Sequence, residues 1–193
     1  ARVIFIPHQA LFRVPFAALM DENGKYLIEK HTIFTIPSLQ TLTFTQQPQK
    51  TINKKALIVG NPTMPFSPDN PSQRLNSLEN AELEAKEIAR KLSTQALIGN
   101  NATKATIIPL MQQSQIIHFA THGLFNDKKA LQSAIALAPL GQDKGWLTAE
   151  EIFGLKLKSD LVVLSACDTG RGEITGDGVI GLSRSFLSAG SRS

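Results

Sequence analysis

The sequence predicts an α/β domain built on a mostly parallel, doubly wound sheet, with a small β-rich piece at its N-terminus. Three observations carry that expectation. Strand-like and helix-like stretches alternate from about residue 55 to 190, the order that parallel strands need for their crossovers. At 193 residues and 42% hydrophobic content the chain can bury one sizeable core, and its length argues against two full domains. Two apolar runs, Ile116 to Thr121 and Leu161 to Ala166, each end on a glycine-containing turn, the first at His122-Gly123 and the second at Cys167.

The elements come in order along the chain. Val3 to Ile6 and Tyr26 to Ile36 look like strands, joined by Asp21-Glu22-Asn23-Gly24, which carries hairpin-type turn residues. Residues 1–53 form this N-terminal β-rich part. Gln46 to Asn53, polar and holding Pro48, connects it to an α/β core over 54–193. Ala56 to Val59 is a compact strand ending at Gly60-Asn61-Pro62. Four prolines between 62 and 76 leave an irregular loop, because proline supports neither a helix interior nor a central strand.

Asn76 with Glu79 suits a capping box, and Leu78, Ala81, Ala85, Ile88, Ala89 and Leu92 trace one apolar helix face. Glu82 with Lys86 and Glu87 with Lys91 are supportive pairs on its other side. Ala96 to Ile98 reads as a short strand. Thr103 opens a helix interrupted or kinked near Pro109, Ser133 to Leu137 is another strand, and Thr148 with Glu151 caps a helix through Phe153. The chain starts at Ala1 and halts at Ser193 before any further strand, so it reads as a piece of a longer protein whose core is incomplete at its C-terminal end.

Composition narrows the function. Lys and Arg number 20 against 16 Asp and Glu; the positive residues are scattered, which argues against nucleic acid as a partner. One cysteine makes no internal disulfide. No charged segment leads into an apolar signal stretch, and no apolar run is long enough to cross a bilayer. A reducing, cytoplasmic setting without membrane attachment is expected.

The chemistry centres on His122 and Cys167, 45 positions apart (167 minus 122). Parallel strands linked by one crossover end at the same sheet edge, where open α/β sheets place their sites. A cysteine at a strand end is often a small buried hydrophobe. Here it comes after the apolar run, a helix succeeds its glycine turn, and a histidine ends a second strand. A thiol needs such a base to become a thiolate near neutral pH. Gly123, lacking Cβ, lets the backbone approach a substrate and aim an N–H at a developing oxyanion, or simply makes a turn.

Other motifs carry less. His118 and His122 have metal-ligand spacing only on a helix; on a strand four residues span roughly 13 Å, too far for one zinc. His118 is therefore expected to be a packed, hydrogen-bonded structural residue. Gly170 to Gly176 has its third glycine one residue too late for a dinucleotide loop, so a nucleotide-binding reading rests on that loop alone. Gly181-Leu182-Ser183-Arg184-Ser185 lacks the second glycine of a nucleophile elbow and belongs within the last helix.

Three segments carry a resemblance. His118-Phe119-Ala120-Thr121-His122-Gly123, then Leu164-Ser165-Ala166-Cys167-Asp168-Thr169-Gly170, then Gly176-Asp177-Gly178-Val179-Ile180-Gly181-Leu182 are similar, in order, to the signatures of the CHAT family. These are caspase-like peptidase domains usually attached to tetratricopeptide repeats. Ile6-Pro7-His8 and Val14 to Leu19 resemble that family's opening, with Gln9 where glycine is common.

The resemblance implies a caspase-haemoglobinase fold, with His122 as general base and acid, Cys167 as nucleophile, and the backbone N–H groups of Gly123 and Cys167 as the oxyanion hole. It implies no cofactor and no metal. The residue two before the cysteine shapes the substrate pocket in such relatives; Ser165 stands there instead of the Asp of basic-specific metacaspases. Asp168, Asp177 and Glu173 are further acidic residues near the site, either facing a cationic side chain or solvated. The expected function is a cysteine endopeptidase acting on protein or peptide substrates, gated by a tetratricopeptide-repeat or sensor region elsewhere in the protein. The alternative is a catalytically silent regulatory or interaction module on the same fold.

Overall fold

The computed structural model describes residues 1–8, 11, 14–36, 38–39, 55–68, 70–126, 128–165 and 176–193, with the side chains of 176–180 outside that description. Among the described residues, two short N-terminal strands, β1 (Arg2–Phe5) and β2 (Thr32–Thr35), precede a central parallel sheet. The central strands are β3 (Ala56–Pro62), β4 (Ala96–Gly99), β5 (Ile116–Ala120) and, last in the chain, β9 (Leu161–Ser165). They lie in the order β4-β3-β5-β9. β3 pairs from Ile58↔Ala96 on one side and from Ala56↔Ile116 on the other; β5 pairs with β9 from Ile116↔Leu161 to Ala120↔Ser165.

Strand side chains alternate between the two faces, and both faces are covered. Leu57, Val59, Ile117 and Phe119 enter the larger core with Ile107 and Met111 of helix α3 (Lys104–Met111) and Leu182 and Phe186 of helix α5 (Gly176–Ser188). Ile58 packs on the opposite side against Ala85 and Ala89 of helix α2 (Glu79–Lys91). The approach there is so close that a Cβ on Gly60 would lie 2.3 Å from Ala85 Cβ and 2.7 Å from the Ala81 carbonyl oxygen. Glycine is what lets α2 press onto β3.

A separate, antiparallel sheet joins β6 (Gly123–Leu124), β7 (Ala134–Ala136) and β8 (Trp146–Thr148) in that order. The strand expected over 133–137 is thus real, but it pairs here rather than in the parallel sheet. Thr148 and Glu151 form the expected capping box of helix α4 (Ala149–Phe153). Thr103 caps α3, which runs through Pro109 to Met111. The segment 181–185 lies within α5, as expected.

Three local expectations are corrected. β1 and β2 pair in parallel, so the turn at 21–24 does not make a hairpin of them. That turn closes a single antiparallel bridge, Met20↔Tyr26, before the one-turn helix α1 (Leu27–Lys30), whose Glu29 carboxylate accepts the Tyr26 N–H at 2.6 Å. α2 begins after Leu78, so Asn76 lies too early to cap it. Glu87 pairs with Arg90 at 3.0 Å, one residue nearer than the expected Lys91, whereas Glu82 meets Lys86 at 2.6 Å as expected. Among the described residues no helix is long and apolar enough to cross a membrane.

Candidate active site at the carboxyl ends of β5 and β9

The last paired rung of β5 and β9 is Ala120↔Ser165. Both strands therefore end at one edge of the sheet. On β5 the chain is held firmly past that rung. The buried Thr121 hydroxyl donates to the Ala136 carbonyl at 3.0 Å, and the Ala136 N–H donates to the His122 carbonyl at 2.9 Å. Gly123 then opens β6 opposite Ile135. The antiparallel sheet thus fixes the backbone on either side of His122.

The His122 side chain is buried, with the residue 5% exposed. Its Nε2 lies 2.8 Å from the Asn76 carbonyl oxygen. A carbonyl can only accept, so Nε2 carries a proton, and in the neutral ring Nδ1 is the basic nitrogen. The geometry selects one tautomer and leaves a defined nitrogen to act as a base.

His118, four residues earlier, is the structural histidine expected of it. It is buried and shares a register with Ile58, on the α2 side of the sheet. Its Nε2 lies 2.9 Å from Glu84 Oε1. The same carboxylate accepts the Ser165 hydroxyl at Oε2, 3.2 Å away. Glu84 consequently ties both strands to α2, at the middle of β5 and at the last residue of β9. Ser165 is exposed at that end.

Three contributors escape a reading of motifs. Glu84 falls three residues after Ala81 and four before Ile88, which puts a carboxylate on the inward stripe of α2; a charge there signals a buried partner. Asn61, next to last in β3, has its side chain turned onto the α2 entrance. The Asn76 carbonyl acts through its backbone, and no side-chain pattern announces it.

Cys167, Asp168 and Glu173 lie outside the described residues, as does the loop over 170–175. Asp177 belongs to the first turn of α5, and its side chain also lies outside the description.

Comparison with known proteins agrees with this architecture. The CHAT domain family model matches residues 1–193. Tetratricopeptide repeat protein 28 of Mus musculus is 26% identical over 235 aligned residues, covering 99% of this chain and 10% of that protein. Its Homo sapiens counterpart is 25% identical over 233, covering 99% and 9%. The chain spans about a tenth of the length of these curated relatives. With the family model matching from end to end and a parallel sheet flanked by helices of the caspase-like kind, the chain belongs to the CHAT domain family.

Proposed function

We propose that this chain is the cysteine endopeptidase domain of a larger, repeat-containing protein. The observation that carries the reading is the hydrogen bond from His122 Nε2 to the Asn76 carbonyl, which leaves Nδ1 as a base at the sheet edge where β9 also ends. Cys167, two residues past Ser165, is the nucleophile.

In the proposed reaction His122 Nδ1 takes the Cys167 thiol proton, and the thiolate attacks the scissile carbonyl carbon. The resulting imidazolium keeps its Nε2–H on the Asn76 carbonyl, whose partial negative charge favours the cation. Backbone N–H groups of Gly123 and Cys167 receive the oxyanion. As the C–N bond breaks, the Nδ1 proton passes to the leaving amine and a thioester remains. Water, deprotonated by Nδ1, attacks the thioester, and the thiol is regenerated. No cofactor or metal takes part.

Ser165, Asp168 and Asp177 are assigned to the substrate side-chain pocket. Both relatives carry a tetratricopeptide-repeat name, and a repeat region of the full-length protein is assigned as the gate. A cytoplasmic, reducing compartment keeps the lone cysteine as a thiol.

A peptide electrophile directed at thiols tests the reading. The full-length protein is expected to be labelled at Cys167, not at all in Cys167→Ala, and about 10²- to 10⁴-fold more slowly in His122→Ala. Labelling of His122→Ala at the rate of the unmodified protein would refute it.

A further inference from the structure

Asn61 is a polar residue, 9% exposed, at the end of the central strand β3. Its φ of +42° lies in the left-handed region, which asparagine tolerates better than most residues. That backbone turn aims its amide at the start of α2. The oxygen Oδ1 accepts the Leu78 N–H at 2.7 Å, and Nδ2 donates to Glu82 Oε2 at 3.1 Å. Ser77 Oγ sits 3.1 Å from Nδ2 and 3.2 Å from Oδ1.

Leu78, the residue at the N-cap position, has no side chain able to cap. Asn61 supplies from another element the acceptor for the N-cap N–H that an N3 carboxylate supplies in a capping box. Two residues back along the same tethered segment is the Asn76 carbonyl that receives His122 Nε2. One buried amide therefore stands behind the group that selects the histidine tautomer.

We infer that Asn61 is a positioning residue for His122: by pinning 76–78 it holds the Asn76 carbonyl in place and keeps the imidazole in its Nε2–H form. The inference rests on the reading of His122 as the general base, but the tautomer can be read without any activity.

Nitrogen-15 NMR of the ring, in the full-length protein labelled at histidine, distinguishes the two tautomers. The unmodified protein is expected to show Nε2–H alone at His122. Asn61→Ala and Asn61→Gly, the second of which accepts the positive φ without strain, are expected to show a mixture. The double variant Asn61→Asp, Glu82→Gln, in which carboxylate and amide change places, is expected to restore the single form. Thr148→Ala removes the cap of α4 without touching the Asn61, Ser77, Leu78 and Glu82 contacts and serves as the control for simple loss of stability; it is expected to leave the ring unchanged.

Labelling of Cys167 by the peptide electrophile is expected to slow at least about two-fold in Asn61→Gly, tracking the fraction of rings left with Nδ1 protonated. Retention of a single Nε2–H form in folded Asn61→Ala or Asn61→Gly would overturn the inference, as would an equal mixture in Thr148→Ala. If His122→Ala proves as reactive as the unmodified protein, the peptidase reading falls while the ring spectra still decide the role of Asn61.

Discussion

Ala120 and Ser165 are register partners at the ends of β5 and β9. Their separation in the chain (165 minus 120, or 45) equals that of His122 and Cys167. In parallel strands the register offset is constant, here from Ile116↔Leu161 to Ala120↔Ser165, so the two strands end level with each other. The spacing of the two candidate catalytic residues is the spacing of the sheet.

That relationship gives a cross-linking prediction. In His122→Cys, mild oxidation is expected to join position 122 to Cys167, because a disulfide needs Cα atoms roughly 4.4–6.8 Å apart. Leu124→Cys, displaced into β6, is expected to give no such link. Peptide mapping of the oxidised proteins by mass spectrometry reads both, and absence of the link in His122→Cys would separate the two residues in space.

The seat of α2 on β3 predicts the effect of a single methyl group. Gly60→Ala would set its Cβ against Ala85 Cβ at 2.3 Å and the Ala81 carbonyl oxygen at 2.7 Å, an overpacking expected to cost about 1–3 kcal/mol. Adding Ala85→Gly removes the closer clash only, so partial recovery is expected. Urea denaturation midpoints of the two variants measure both effects.

Glu84 serves His118 and Ser165 together. Glu84→Ala is expected to lose about 1–3 kcal/mol, chiefly because the buried His118 ring is left without its acceptor. Glu84→Gln keeps an acceptor oxygen and is expected to lose less. The comparison is made by chemical denaturation near neutral pH, and equal losses in the two variants would assign the effect to shape rather than to the hydrogen bonds.

The acid side of the stability profile depends in part on the Lys104 cluster, where Glu151 Oε1 lies 2.9 Å and Asp143 Oδ2 3.2 Å from Nζ. Burial pushes the Glu151 carboxyl up, but the Thr148 N–H and the Lys104 ammonium outweigh it and hold the group below its ordinary 4.5. A lowered carboxylate contributes stability that is fully present above 4.5 and is lost as the pH falls through the folded-state value. Lys104→Met is therefore expected to be less stable at neutral pH and to lose less on acidification. Unfolding midpoints at about pH 7, 5 and 3 give the two slopes.

The parallel core was legible because its signals are local. β3, β5 and β9 are short apolar runs bounded by turn residues, and Thr148 with Glu151 caps α4 through groups three residues apart. The N-terminal pairing was not legible in this way. A turn sequence such as Asp21 to Gly24 predicts a reversal of the chain; it does not say how many rungs form beyond it. Here a single bridge forms, and Tyr26 starts a helical turn that carries β2 to the parallel side of β1.

The α2 start illustrates the same limit at the site. Asn76 and Glu79 have capping-box spacing, yet Asn61 already satisfies the N-terminal donor of Leu78 from 17 residues away. The helix consequently starts later, and the Asn76 carbonyl is left for His122.

By itself the sequence determined an α/β fold with a mostly parallel sheet and the apolar runs that become β5 and β9, since periodicity and turn chemistry act between near neighbours. Its ordered motifs also determined the CHAT family. Only the tertiary structure decided which His122 nitrogen donates to a backbone carbonyl, what holds His118, and what receives the Leu78 N–H at the start of α2. Each of those depends on a hydrogen bond between groups 34, 46 or 17 residues apart, and such a partner exists only once the sheet and α2 have packed.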